Sequence, residues 1–446
     1  MHIIRLWFNK YTSSVGLNIL LPLLFKAGAV LINFYIFRMS LLILGNTNMG
    51  VWLTISSVAS WISFFDLGIA NGLKNKISEN IHTQNFVGVR KLISSGYFVI
   101  LIIAIVLALL FLISSLYLPW NAILNTNSVS KNNLITIVII TFVSFALRLF
   151  SDIILTILIS FQKSYLAAFI LFTGNLLTLL LLIFFQNYYN GLIIFISILV
   201  ICPLLCNLLA TVFFFTTKYR NISPSYKLIS FRYAQSFLKL GSSFFIIQLM
   251  YLLIFTTDNL IIAQFFLPNE VTIYNTAYKY FSIIPFIYAI VLTPFWPIIT
   301  EAHVTNNIDK IKKIISTLIK YLIITMLIII LMCISANYVY SIWTKGKVIV
   351  PLRLTLAMGI YVIVSVWNSI YATYLNAVSK IRLQLYSSII TGLLNIPICY
   401  LMIKYFHMKS EGVMFATIVC LLVGSIWAPI QYYKLINHKA KGIWNR

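Results

Sequence analysis

Apolar residues in this chain fall into long, nearly uninterrupted runs, and a run of about 20 is enough to cross a bilayer as a helix. Twelve such runs lie near 18–44, 51–69, 92–117, 134–159, 166–186, 192–215, 241–265, 272–299, 314–337, 351–378, 385–405 and 412–436. They predict an all-α polytopic membrane protein with twelve transmembrane helices and both termini on one side. The longest hydrophilic connection, 216–240, falls near the middle. It divides an N-terminal six-helix lobe, 1–215, from a C-terminal six-helix lobe, 241–446, that ends in a basic tail.

The two halves carry a weak repeat. At a shift of 222 positions Glu79 aligns with Glu301, Arg90 with Lys312, Lys91 with Lys313, Ser94 with Ser316 and Trp52 with Tyr274, and a shift of 218 aligns Gly174 with Gly392. Six spans is an even number, so the lobes keep the same topology and are expected to be related by an axis along the membrane normal, with the substrate path in the cleft between them.

Composition agrees with the pattern. Of 446 residues, 61% are hydrophobic and 9% charged, with a mean hydropathy of +0.98, values that exclude a water-soluble fold of this size. Charge adds the orientation. Of the 32 Lys and Arg, 21 lie in the termini and in the connections on their side, 5 in the opposite connections (Lys131, Lys345, Lys347, Lys404 and Lys409) and 6 within spans. By the positive-inside rule both termini and the 216–240 loop are cytoplasmic, and most of the net charge of +24 reports topology and not a nucleic-acid partner. The N-terminus has no A-x-A cleavage pattern, so the first helix is expected to remain.

Charged groups inside spans narrow the chemistry, because each costs about 2.5–3.5 kcal/mol at the bilayer centre and needs a partner or a wet cavity. Lys26 and Asn33 share a face of span 1, with Arg38 near its outer end on another face. Span 4 carries Thr141, Ser144, Arg148, Ser151 and Asp152 at steps of three and four, one polar stripe that either lines a cavity or lets Arg148 and Asp152 neutralise each other. Span 8 opens with Tyr274 and Tyr278 on one face beside Asn275 and Lys279; aromatic hydroxyls of this kind suit sugar rings, and an interfacial aromatic belt is the plainer alternative. Lys320 and Arg353 lie near span ends and are expected to snorkel. Arg38 and Asp258, near the outer ends of spans 1 and 7, are expected to pair when the cleft is shut outside.

The second span leaves the membrane through FFDLGIANGLKNKISE, 64–79, where an apolar run bends at Asp66-Leu67-Gly68 and passes Asn71 and Gly72 into a basic segment ending at Glu79. Glu79 has a counterpart in the second half. Asp66, Gly68, Asn71 and Gly72 do not, so these four are expected to shape the inner entrance of the first lobe. The five cysteines show no metal or redox spacing, the five histidines are isolated, and no phosphate-cradling glycine loop precedes a helix, so neither a cofactor, a metal nor an enzyme constellation is expected. A chain without a nucleotide-binding domain draws its energy from a gradient, a potential or a partner.

The 64–79 exit, the Leu44-Gly45 turn, Gly50-Val51-Trp52, Arg90-Lys91 and Asp258-Asn259-Leu260-Ile261-Ile262 together resemble the O-antigen flippases of the polysaccharide transport family. That family sits in a larger group with multidrug and toxin extrusion antiporters and lipid II flippases. The resemblance implies a V-shaped twelve-helix fold whose central cavity admits the sugar and diphosphate of an undecaprenyl-diphosphate-linked oligosaccharide. The lipid tail would stay in the bilayer while the substrate crosses from the inner to the outer leaflet. It also implies a bacterial inner-membrane location and a polysaccharide polymerase and chain-length regulator as partners. For the energy source two alternatives stand open: an inside-negative potential, which favours outward movement of negative charge, and an ion antiport with Asp66, Asp152 or Asp258 as proton or sodium sites. Two other readings stand beside it. A drug or small-molecule antiporter on the same scaffold would more often carry acidic residues in its cavity, whereas a polymerase or glycosyltransferase would need a large external loop; the longest external connection is 118–133.

Overall fold

The computed structural model describes residues 14–62, 69–185, 192–231, 256–292, 295–378 and 380–445, together with 233, 235 and 249. Among them regular structure is helical throughout, with no strand. In chain order the longer helices begin with α1 (Ser14–Ser60), α2 (Ile69–His82), α3 (Phe86–Tyr117), α4 (Lys131–Ser151), α5 (Ile153–Ser160), α6 (Ser164–Phe185) and α7 (Leu192–Thr216). Then follow α8 (Asp258–Phe265), α9 (Pro268–Leu292), α10 (Phe295–Val304), α11 (Ile308–Thr344), α12 (Leu352–Ala377), α13 (Arg382–Lys404) and α14 (Ser410–Ile436).

Nine of the described helices are long and apolar enough to span a membrane. One of them, Leu21–Ser60, holds the first predicted span from residue 21 and the second as far as residue 60. α1 runs through 47 residues, about 70 Å of helix and more than two bilayer cores, and it is broken at Gly45 (φ 72°, ψ 174°). That backbone region is open essentially to glycine alone, so the turn between spans 1 and 2 is fixed by one residue type. α4 and α5 together make a single span interrupted at Asp152. α9 is not among the nine, because Glu270, Asn275 and Lys279 dilute its hydropathy. Of the seventh predicted span, the part from 241 to 255 lies outside the described residues except for Leu249.

The chain forms two compact units, one of Met1–Gly45 with Ile55–Gln248 and the other of Asn46–Thr54 with Leu249–Arg446. The turn between spans 1 and 2 is therefore built into the second unit. Asn46 Nδ2 donates to the Lys347 carbonyl (2.7 Å), Thr272 Oγ1 donates to the Asn46 carbonyl (2.7 Å), and Asn259 Nδ2 reaches the Leu53 carbonyl (3.5 Å). Gly50 lies so close to the Pro268 carbonyl that a Cβ there has no room. Met49, Val51 and Thr54 are fully buried.

The repeat seen in the sequence is present in the geometry of each unit. In the α2–α3 turn Thr83 N–H donates to the Glu79 carbonyl (3.1 Å), Asn85 N–H to the Asn80 carbonyl (2.8 Å), and the Asn85 side chain caps α3 by accepting from Gly88 N–H (2.9 Å). Each bond recurs 222 positions later: Thr305 to Glu301 (3.0 Å), Asn307 to Ala302 (2.8 Å), and Asn307 capping α11 through Lys310 N–H (3.0 Å). Gln84 and Asn306 both take φ 54°. Ser78 donates to the Ser160 carbonyl (3.3 Å) as Thr300 does to the Ala377 carbonyl (3.0 Å). Glu79 pairs with Lys76 (2.7 Å) and Glu301 with Lys310 (3.5 Å), exposed pairs worth at most about 1 kcal/mol, so both glutamates belong to the scaffold of their turns.

The connection after α7 is pinned to α3. Arg90 Nε donates to the Ser223 carbonyl (3.0 Å), Ser225 N–H to Ser94 Oγ (3.0 Å), and Ser230 N–H to Ser95 Oγ (3.0 Å).

Candidate functional site

In the first unit the charged stripe of span 4 is resolved into two parts. Thr141, Ser144 and Ser151 are buried, and the Thr141 and Ser151 hydroxyls are satisfied by their own helix, donating to the carbonyls of Ile137 (2.7 Å) and Arg148 (3.1 Å). Arg148 and Asp152 are the members that reach accessible space, 36% and 43% exposed, with Nε and Oδ2 3.7 Å apart. Asp152 sits at the junction of α4 and α5, and its other oxygen accepts from Asn207 Nδ2 of α7 (2.5 Å). Asn207 is buried, four residues after Pro203 in a helix that is otherwise nearly all apolar. The amide holds the carboxylate from one side and the Arg148 guanidinium faces its other oxygen.

On α1, Phe25 packs against Phe169 (5.3 Å) and Phe172 (5.7 Å) of α6, and Gly28 admits the Phe172 ring. Lys26 and Asn33 are exposed, and Asn33 Nδ2 turns back to the Ala29 carbonyl (2.9 Å). Arg38 is half-buried on the same helix. Asp66 and Gly68 lie outside the described residues, as does the side chain of Asn71; Gly72 is buried near the start of α2.

In the second unit Asp258, 5% exposed in the first turn of α8, accepts from Tyr274 Oη at 2.5 Å. Its Oδ1 has no hydrogen-bond partner among the described residues. Tyr274 stacks on Tyr278 (6.3 Å, 7°), and Tyr278 faces Tyr361 of α12 (6.3 Å, 35°). Beside this aromatic row Asn275 Nδ2 donates to Asn259 Oδ1 (2.7 Å) and the Val271 carbonyl (2.8 Å), and Lys279 is half-buried. Sequence pattern marks Tyr274, Tyr278 and Asp258 separately; the structure joins them and adds Tyr361 and Asn259. Asn207 was also unforeseen. A lone amide inside an apolar run is its signal, weaker than a charge because an amide costs less to bury.

No family model matches the chain. It is 24% identical over 365 residues to a Yersinia pseudotuberculosis protein named "Putative O-antigen export protein", covering 79% of this chain and 81% of that one. Over 150 residues it is 25% identical to the "Putative O-antigen transporter" of Salmonella typhimurium strain LT2, covering 33% and 34% of the two chains. The chain resembles O-antigen exporters. Among solved structures it is similar to an inward-facing multidrug resistance MATE family transporter of the MOP superfamily, with a TM-score of 0.74 at 14% identity over 90% of this chain and 96% of the other. At that identity the likeness establishes the fold, the twelve-helix MATE architecture. The exporter-like sequence, the MATE fold and the apolar helices make this a multi-pass membrane transporter.

Proposed function

We propose that the chain is a flippase that moves an undecaprenyl-diphosphate-linked oligosaccharide, an O-antigen repeat unit for lipopolysaccharide, from the cytoplasmic to the periplasmic leaflet of the inner membrane by alternating access. The observation that carries this reading is the likeness to the Yersinia export protein, which runs through about four-fifths of both chains. The excess of cations in the spans supports it. A diphosphate entering the membrane loses hydration, and Lys26 and Arg148, both accessible, offset that loss through charge-assisted hydrogen bonds. Tyr278 and Tyr361 offer ring faces to a sugar, with Asn33, Arg38 and Lys279 as further contacts.

Asp258 supplies a coupling site. A buried carboxylate with one oxygen held by a phenol and the other unpartnered among the described residues takes up a proton or a sodium ion at low electrostatic cost. Asp66 and Asp152 serve as the corresponding candidates in the first lobe. Moving negative charge outward across an inside-negative potential contributes about 2.3 kcal/mol per charge per 100 mV, so the potential and an ion gradient act in the same direction. Both termini face the cytoplasm, where the positive-inside excess lies, and a polysaccharide polymerase and chain-length regulator receive the product.

Deletion of the gene, followed by analysis of lipid-linked intermediates, tests this function. Undecaprenyl-linked repeat units are expected to accumulate on the inner leaflet and surface glycan to fall. The solved inward-facing structure of this fold is a multidrug resistance transporter by name, which favours small-molecule antiport as the second reading; unchanged surface glycan together with altered drug sensitivity would select it.

A further inference from the structure

Within the second unit, the ends of α10, α12 and α14 and the start of α11 line an open cavity of about 270 Å³, in which His303, Asn306, His438 and Asn445 are exposed. Its polar lining is His303, Asn306, Tyr374, Lys380, His438 and Asn445, and no carboxylate is among the described residues that line it. The C-terminal tail closes one side. Lys380 Nζ donates to the Asn445 carbonyl (2.9 Å), Gln431 Nε2 donates to the Trp444 carbonyl (3.1 Å), and Lys434 Nζ lies 3.8 Å from the centre of the Trp444 ring.

The internal repeat shows which of these residues the scaffold needs. The bonds Lys163 N–H to Leu158 and Lys380 N–H to Leu375 (both 2.9 Å) are equivalent, as are Tyr219 N–H to Phe214 and Lys439 N–H to Lys434 (both 2.8 Å). Together with the matched α2–α3 and α10–α11 turns, they align the two units residue by residue here. Lys380 then corresponds to Lys163 and His438 to Lys218, so a nitrogen-bearing side chain at each position is common to both. His303 and Tyr374 correspond to Ile81 and Ile157, and Ile157 is fully buried in the first unit. The fold is satisfied by two isoleucines at these places. The second unit has an imidazole and a phenol instead.

Helix C-termini attract cations, and that accounts for Lys434 near the end of α14 and for Lys380 after α12. It covers His303 too, in the last turn of α10, but it does not account for Tyr374 in place of isoleucine, nor for a polar lining with no carboxylate among the described residues. Lys380 spends one of its three donors on Asn445.

We propose that this cavity binds a phosphate-bearing anion, held by His303, Lys380 and His438 and roofed by the C-terminal tail. It lies at the ends of membrane-spanning helices, so the phosphate comes either from an anionic phospholipid headgroup or from a soluble phosphate.

Thermal unfolding of the purified full chain in detergent, with added phosphatidylglycerol, phosphatidylcholine or inorganic phosphate, separates the sources. A saturable rise in Tm with phosphatidylglycerol but not phosphatidylcholine assigns a lipid headgroup, and a rise with inorganic phosphate assigns a soluble one. In either case His303→Gln with His438→Gln is expected to raise the half-saturating concentration about tenfold, corresponding to about 1.4 kcal/mol. His438→Lys keeps the response, and Lys404→Gln, an exposed cation outside the cavity, leaves it unchanged. If the double variant does not fold, His438→Gln alone, at an exposed position, is read in the same way. No response to either phosphate source, or a response that these variants do not weaken, overturns the proposal.

Discussion

At the scale of single residues, the pair Asp258 and Tyr274 shows what a buried charge demands. The carboxylate has been taken out of water at 5% exposure, and its one described partner is a phenol that is itself 3% exposed. Removing the phenol leaves a desolvated carboxylate oxygen, so Tyr274→Phe is expected to cost about 1–3 kcal/mol of stability. Asp258→Asn is expected to cost less in the Tyr274→Phe background than in the wild type, because the interaction is already gone. Thermal unfolding of the two single variants and the double checks this; additive losses would show that the bond carries no coupling. The sequence marked Asp258 because a charge in an apolar run is conspicuous, and it marked Tyr274 and Tyr278 by their spacing. It could not join them, since Asp258 and Tyr274 lie on different helices. Asn207 passed unnoticed for the same reason: its significance is a 2.5 Å bond to a residue 55 positions away.

Elements were more legible than residues. Long apolar runs have few alternatives in a bilayer, where every backbone amide must be bonded within its own segment, and so spans could be read from hydropathy alone. The repeat could be read too, because Glu79 and Glu301 hold equivalent places in equivalent turns. What hydropathy could not convey is that Asn46–Thr54 belongs to the second unit. Gly45 and Gly50 are its traces in the sequence, one for a backbone angle and the other for close approach to Pro268. The matched turns carry their own test. Asn85→Ala and Asn307→Ala each remove one side-chain cap from a long helix and are expected to cost about 1 kcal/mol apiece. Equal downward shifts in Tm would agree with equivalent turns, whereas an effect at one site only would show that the repeat is preserved in shape and not in energetics.

At the scale of the whole molecule, 32 basic residues stand against 8 acidic ones. Most lie outside the spans, where the positive-inside rule reads them as an orientation signal; in the function we propose, the few within spans meet the substrate. The fold follows from the pattern of runs and from the MATE likeness, which concern the scaffold. A scaffold does not by itself select a substrate; in the function we propose, accessible side chains on it do so. The most direct test is therefore transbilayer movement in proteoliposomes containing the purified chain and an undecaprenyl-diphosphate-linked oligosaccharide. The account predicts that the chain increases the fraction of saccharide reached by an added membrane-impermeant glycosidase. Lys26→Ala and Arg148→Ala should each slow the movement at least about tenfold, the equivalent of one lost charge-assisted bond, while Lys26→Arg and Arg148→Lys should retain more of it. Movement no faster than in protein-free liposomes, or alanine variants as fast as the wild type, would contradict it.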